Sequence, residues 1–115
     1  MKLLTGNLLH FPHLQCGETL ENLLVRTGLR IERIVSRGDS TPAGEWYDQS
    51  WDEWVLLIRG EAGLLIAGEQ EPRHLRQGDY LLLPAGCRHR VEWTDPVQET
   101  VWVAVHIGSP AGESD

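Results

Sequence analysis

"GDYLLLPAGCRHRVEW", residues 78–93, decides the fold. Gly78 and Asp79 supply turn chemistry, four apolar-rich positions follow, and Pro84 and Gly86 break the run. A second alternating run then starts at His89. Two strands joined by a Pro–Gly corner place an imidazole directly beyond a sharp bend. Such a bend fixes the backbone in front of His89, so the corner aims the ring.

Further strands surround this stretch. "LRIERIVSRG" (29–38) alternates and ends in Gly. "DEWVLLIRGEAGLLIAGEQEP" (52–72) holds two apolar runs parted by Gly60 to Gly63, a hairpin pattern. "HLRQGDYLLLPAG" (74–86) adds a short strand, a turn and a strand; "HRVEWT" (89–94) and "ETVWVAVHIG" (99–108) are the last two. Only "ETLENLLVRT" (18–27) is open between strand and a short helix. Short strands punctuated by Gly and Pro predict an all-β sandwich or barrel. One domain is expected over residues 1–108, with a disordered tail over 109–115.

The 115 residues suffice to bury a core. With 41% hydrophobic residues the composition is that of a soluble globular chain. A formal charge of -7 argues against nucleic acid, whose phosphates need a basic surface. Two cysteines are too few for a disulfide scaffold, and no stretch resembles a leader peptide or a membrane span. The expectation is a cytoplasmic protein with reduced thiols.

Residues 78–89 read Gly, five residues, Pro, one residue, Gly, two residues, His. This resembles the second motif of the cupin family, with Trp93 where that motif usually ends in Asn. "YDQSWDEWVLLIRG" (47–60) is similar to part of the first motif, in which two histidines precede a Glu. Glu53 and Gly60 match, Tyr47 and Gln49 stand where the family most often has His, and Thr41 replaces the opening Gly. The resemblance spans about residues 29–107. It implies an RmlC-like jelly-roll barrel, a double-stranded β-helix, and often a homodimer.

The resemblance also implies a metal set of Gln49, Glu53 and His89, suited to divalent Fe, Mn, Zn, Ni or Co. Alternation along a strand puts Tyr47 and Gln49 on one side, so four side chains can converge inside a barrel. Tyr47, Arg33, Trp93 and His106 are candidate substrate contacts. His106 shares its strand face with Trp102 and Ala104, whereas Val101, Val103, Val105 and Ile107 form a wholly apolar face suited to dense packing. Arg33, between Ile31 and Val35, could face the interior and pair with an anionic substrate, and could equally pair with Glu53 or lie outside.

Glu53, His89 and Tyr47 are the catalytic candidates. Three functional classes stay open: a metal-binding cupin acting on a small polar or anionic molecule, a metal-free binding or sensing module, and a metal-free isomerase or epimerase using His89 and Tyr47 as acid and base.

Overall fold

In the computed structural model, residues 1–12 and 17–109 are described. Cys16, expected to be reduced, and the expected tail beyond Ser109 lie outside the described residues. The described chain is all-β, with no helix among those residues. The strands are β1 (Thr19–Arg26), β2 (Leu29–Ser36), β3 (Asp52–Arg59), β4 (Ala62–Ile66), β5 (Arg73–Leu75), β6 (Tyr80–Leu83), β7 (His89–Thr94) and β8 (Thr100–Ile107). The ambiguous stretch at 18–27 is therefore strand, and it pairs along its length with β2, with a bulge between Asn22 and Leu24. Cross-strand pairing decided what its short apolar pattern left open.

Two antiparallel sheets form the body. One has the order β1-β2-β8-β3-β6, the other β5-β4-β7. Register sets which side chains face inward. Glu53 lies opposite His106, Val55 opposite Ala104, and Leu57 opposite Trp102. His106 in turn lies opposite Arg30, Ala104 opposite Glu32, and Trp102 opposite Ile34. The inner face of the large sheet is thus apolar at one end and polar at the other.

The core is Val55, Leu57, Ala62, Leu64, Leu75, Leu83 and Trp102, all buried and in one cluster between the sheets. Burying a Leu or Val side chain stabilises the fold by about 1.5–3 kcal/mol, so this cluster holds the sheets face to face. The polar end contains Arg30, Glu32, Glu53 and His106, each at most 6% exposed.

The apolar face of β8 turns outward, away from the space between the sheets. The segment around residues 7–11 crosses that face, held by Arg33. Its guanidinium donates to the carbonyls of Asn7, Leu8 and His10 at 3.1, 3.3 and 3.1 Å, and pairs with Glu21. It also stacks on the Phe11 ring at 5.4 Å. Where the strap does not reach, Tyr80, Leu82 and Ile107 remain exposed. Among the described residues, no helix is long and apolar enough to cross a membrane.

Candidate functional site

The corner at Pro84–Gly86 is stapled to the segment that precedes β3. Gly86 N–H donates to the Gln49 carbonyl at 2.7 Å, and Ala85 N–H to Asp52 Oδ1 at 2.9 Å. Gly86 has φ of 80°, the left-handed region where glycine carries no Cβ penalty. Beyond the corner, Cys87 O accepts from His89 Nδ1 at 2.9 Å. A carbonyl only accepts, so Nδ1 carries the proton and a neutral ring leaves Nε2 with its lone pair. The corner therefore sets both the direction and the tautomer of His89.

Tyr47 arrives beside His89 through an isolated β-bridge. The two residues exchange backbone hydrogen bonds, Tyr47 N–H to His89 O at 2.8 Å and His89 N–H to Tyr47 O at 3.1 Å. Their rings stack with centroids 5.5 Å apart. Thr41 supports the same segment one step back, since its N–H donates to Val91 O and its hydroxyl accepts from Val91 N–H.

Glu53 projects inward from β3 toward the same point. Its Oε1 lies 3.9 Å from His89 Nε2, and both residues are buried. Gln49 donates its side-chain N–H to the same Oε1 at 2.8 Å. That amide nitrogen also lies 3.5 Å from His106 Nδ1. Behind it, Trp51 Nε1–H donates to His106 Nδ1 at 2.9 Å, and His106 Nε2 faces Glu32 Oε1 at 3.2 Å.

A cavity of about 100 Å³ opens beside this group. Its polar lining is Glu18, Tyr47, Glu53 and His89; its apolar lining includes Leu20, Ile34, Leu64 and Trp102. Glu18 stands at the exposed side, where Ser36 Oγ donates to its carboxylate at 2.9 Å. Burial of the carboxyl raises the Glu18 pKa, against the Ser36 hydrogen bond, and the charges of Asp39 and Glu32 push it the same way as burial.

Of the residues expected at the site, Tyr47, Gln49, Glu53 and His89 come together. Three others are elsewhere. Arg33 is on the outer face of the large sheet, committed to the strap. Trp93 is on the outside of the small sheet, its indole packed over Gly63 and edge-on to His74, with ring centroids 5.2 Å apart. Trp93 follows His89 by four residues, an even offset, but the pairing of β7 with β4 shifts between Gly63 and Leu64. That irregularity turns Trp93 outward. His106 is on the inner face as expected, yet fully buried behind Gln49 rather than on the cavity wall. Sequence reasoning missed Glu18, which precedes β1 and so carries no periodic signal.

The expected metal set does not fit as arranged. His89 offers a lone pair and Glu53 a carboxylate, but Gln49 turns its N–H rather than its oxygen toward them. Reversing that amide would set its oxygen against the Glu53 carboxylate and the lone pair of His106, so the surrounding acceptors fix its orientation. The nearest imidazole nitrogen behind it, His106 Nδ1, accepts from Trp51. Among the described residues, no three His, Cys, Asp or Glu side chains cluster so as to hold an ion.

A family profile described as "Cupin domain" matches residues 34–106. No curated protein matches the chain. Among solved structures, a protein of Ralstonia eutropha JMP134, provisionally assigned as a mannose-6-phosphate isomerase, is 47% identical, with 91% of this chain and 98% of that one covered and a TM-score of 0.87. An RmlC-like cupin of Methanocaldococcus jannaschii with a double-stranded β-helix fold is 20% identical, at 86% and 87% coverage and a TM-score of 0.68. A cupin superfamily protein of Desulfitobacterium hafniense DCB-2 is 15% identical, at 86% and 84% coverage and a TM-score of 0.71. The last two likenesses concern the fold.

Proposed function

The chain belongs to the cupin family, and from that premise we propose that its cavity is a proton-transfer site for a small carbonyl compound, worked by Glu53 and His89. One observation carries the reading. A buried carboxylate and a buried imidazole face each other at 3.9 Å at the wall of a largely apolar cavity, and the imidazole tautomer is fixed from behind. Two groups so placed can both reach one small substrate, one accepting a proton and the other donating one.

With the proton on His89 Nε2 and Glu53 ionised, the pair is set for an isomerase or epimerase step. Glu53 takes the proton from a carbon next to a carbonyl while His89 gives its proton to the carbonyl oxygen. The C–H electron pair moves into the new carbon–carbon double bond of an enol. For the isomer, Glu53 then delivers its proton to the former carbonyl carbon of the enediol while His89 takes the proton of the neighbouring hydroxyl, whose oxygen becomes the new carbonyl, so the pair is regenerated and no oxidant or further reactant is consumed. Gln49 holds the carboxylate in place through its N–H. Tyr47, stacked on His89, closes one side of the ring against water. The isomerase assignment of the Ralstonia protein is of the same reaction class.

The test is deuterium incorporation from D2O into small α-hydroxy aldehydes and ketones, read by NMR. The expected result is exchange at the carbon beside the carbonyl, slowed at least ~100-fold in both Glu53→Gln and His89→Gln. Exchange that survives both substitutions would overturn the reading. So would one equivalent of divalent metal that co-purifies with untagged wild type and is lost from both variants.

A further inference from the structure

We propose that the cavity selects uncharged or cationic ligands with a short apolar body and rejects anions, sugar phosphates included, and that Glu18 is a specificity-determining residue at its rim. This rests on the cavity being the working site, as argued above.

The charges around the cavity carry the inference. Among the described residues no Lys or Arg lines it, while two carboxylates, Glu18 and Glu53, do. The cation expected there from sequence, Arg33, is on the opposite face of its sheet, donating to backbone carbonyls and paired with Glu21. The other cation on the inner face of β2 is Arg30, two residues from Glu32 and 1% exposed. These two formal charges cancel, and the Glu53 carboxylate faces the His89 imidazole, which leaves Glu18 as the surplus carboxylate. Among the described lining residues, His89 alone is able to become cationic, and Glu53 already faces it.

The electrostatic sign is therefore negative toward a ligand. An anion about 5 Å from a carboxylate, at an effective dielectric near 20, is disfavoured by roughly 100-fold or more; allowing for the open rim leaves at least ~10-fold. The raised pKa of Glu18 agrees, because it marks a carboxyl that burial and neighbouring acids destabilise when ionised. A cation placed beside it relieves that cost. The volume admits about ten non-hydrogen atoms, and Leu20, Ile34, Leu64 and Trp102 give the body of the ligand an apolar bed.

Three probes of one ring isolate the charge: cyclohexanol, cyclohexylammonium and cyclohexanecarboxylate, with mannose 6-phosphate as a fourth. Binding to the full chain is followed through the Trp102 indole resonance, assigned with Trp102→Phe. The expected result is that the alcohol and the ammonium bind at least ~10-fold more tightly than the carboxylate, with no response to the sugar phosphate. In Glu18→Gln the preference for ammonium over carboxylate narrows at least ~3-fold. Tightest binding of either anion overturns the proposal, as does the absence of any Trp102 response to all three rings. These titrations involve no turnover, so deuterium exchange can fail while selectivity stands, and selectivity can fail while exchange stands.

Discussion

Trp51 donates its indole N–H to Nδ1 of His106 across 2.9 Å. An indole nitrogen is a donor only, so this contact settles the imidazole as the Nε2–H tautomer, with that hydrogen facing Glu32. His106 is therefore held as a neutral spacer between Glu32 and Gln49. The Gln49 N–H that secures Glu53 rests on an acceptor whose lone pair is oriented by Trp51.

Removing that donor tests the arrangement. Trp51→Phe keeps an aromatic ring and deletes the N–H. The expected loss is about 1–3 kcal/mol of stability, from a buried acceptor deprived of one of its donors. Chemical denaturation reads it. The nitrogen shifts of His106 should also lose the fixed Nε2–H pattern, whereas a mere loss of packing would leave the tautomer unchanged.

Glycine substitutions should separate backbone strain from lack of space. Gly60 and Gly86 both have positive φ, 96° and 80°. A Cβ on Gly86 meets nothing within 4 Å, whereas one on Gly60 would lie 2.7 Å from Thr100 Cα. Gly86→Ala is expected to cost about 1 kcal/mol from strain alone, and Gly60→Ala about 3 kcal/mol or more, since the backbone of Thr100 must move. Equal shifts in denaturation midpoint would show that the Gly60 turn relaxes freely.

Glu18 gives the pH dependence a sign. Its folded pKa is raised above the ordinary 4.5, so ionisation is harder in the folded state than in the unfolded one. Its contribution to stability is fully present below pH 4.5 and is lost as pH rises through the raised value. Glu18→Gln should therefore match wild type in melting temperature at pH 4 and equal or exceed it at pH 7. A variant less stable at pH 7 than at pH 4, relative to wild type, would contradict this.

The chain is expected to pair with a second copy through the uncovered outer face of the large sheet. Trp54 stacks near Tyr80 there, with centroids 5.7 Å apart, and Leu82 and Ile107 flank them. β6 also ends that sheet with an open edge. Light scattering should give twice the 13.0 kDa chain mass, and Leu82→Asp should return it to that mass. A wild-type monomer at all concentrations would sink the expectation.

Most of the barrel was legible because each strand is bounded by its own turn chemistry. Gly60 closes β3, Gly78 and Asp79 open β6, and Pro84 with Gly86 ends it; the structure follows these marks within a residue or two. The convergence of Tyr47, Gln49, Glu53 and His89 was legible through the resemblance of residues 47–60 and 78–89 to the cupin motifs, with strand alternation placing Tyr47 and Gln49 on one side. The sidedness of Arg33 and Trp93 was not. A strand pattern tells which residues share a face but not which face is inside, and Ile31, Arg33 and Val35 read equally well either way. The answer lay in carbonyls of residues 7–10, more than twenty positions away. For Trp93 it lay in a bulge of its own strand, where Trp93 and Val91 pair with the consecutive residues Gly63 and Leu64, which sequence periodicity does not encode.

The hold of Arg33 on the first dozen residues carries a consequence for how this protein can change over generations. All three of its hydrogen bonds to the strap end on main-chain oxygens, at Asn7, Leu8 and His10. The guanidinium thus grips a path, not a set of side chains. Lineages descending from this chain can rewrite positions 8 and 10 with little penalty. An inserted or deleted residue between 7 and 11 would slide every carbonyl out of reach and carry the Phe11 ring away from its cation. Length in that segment should drift far more slowly than spelling.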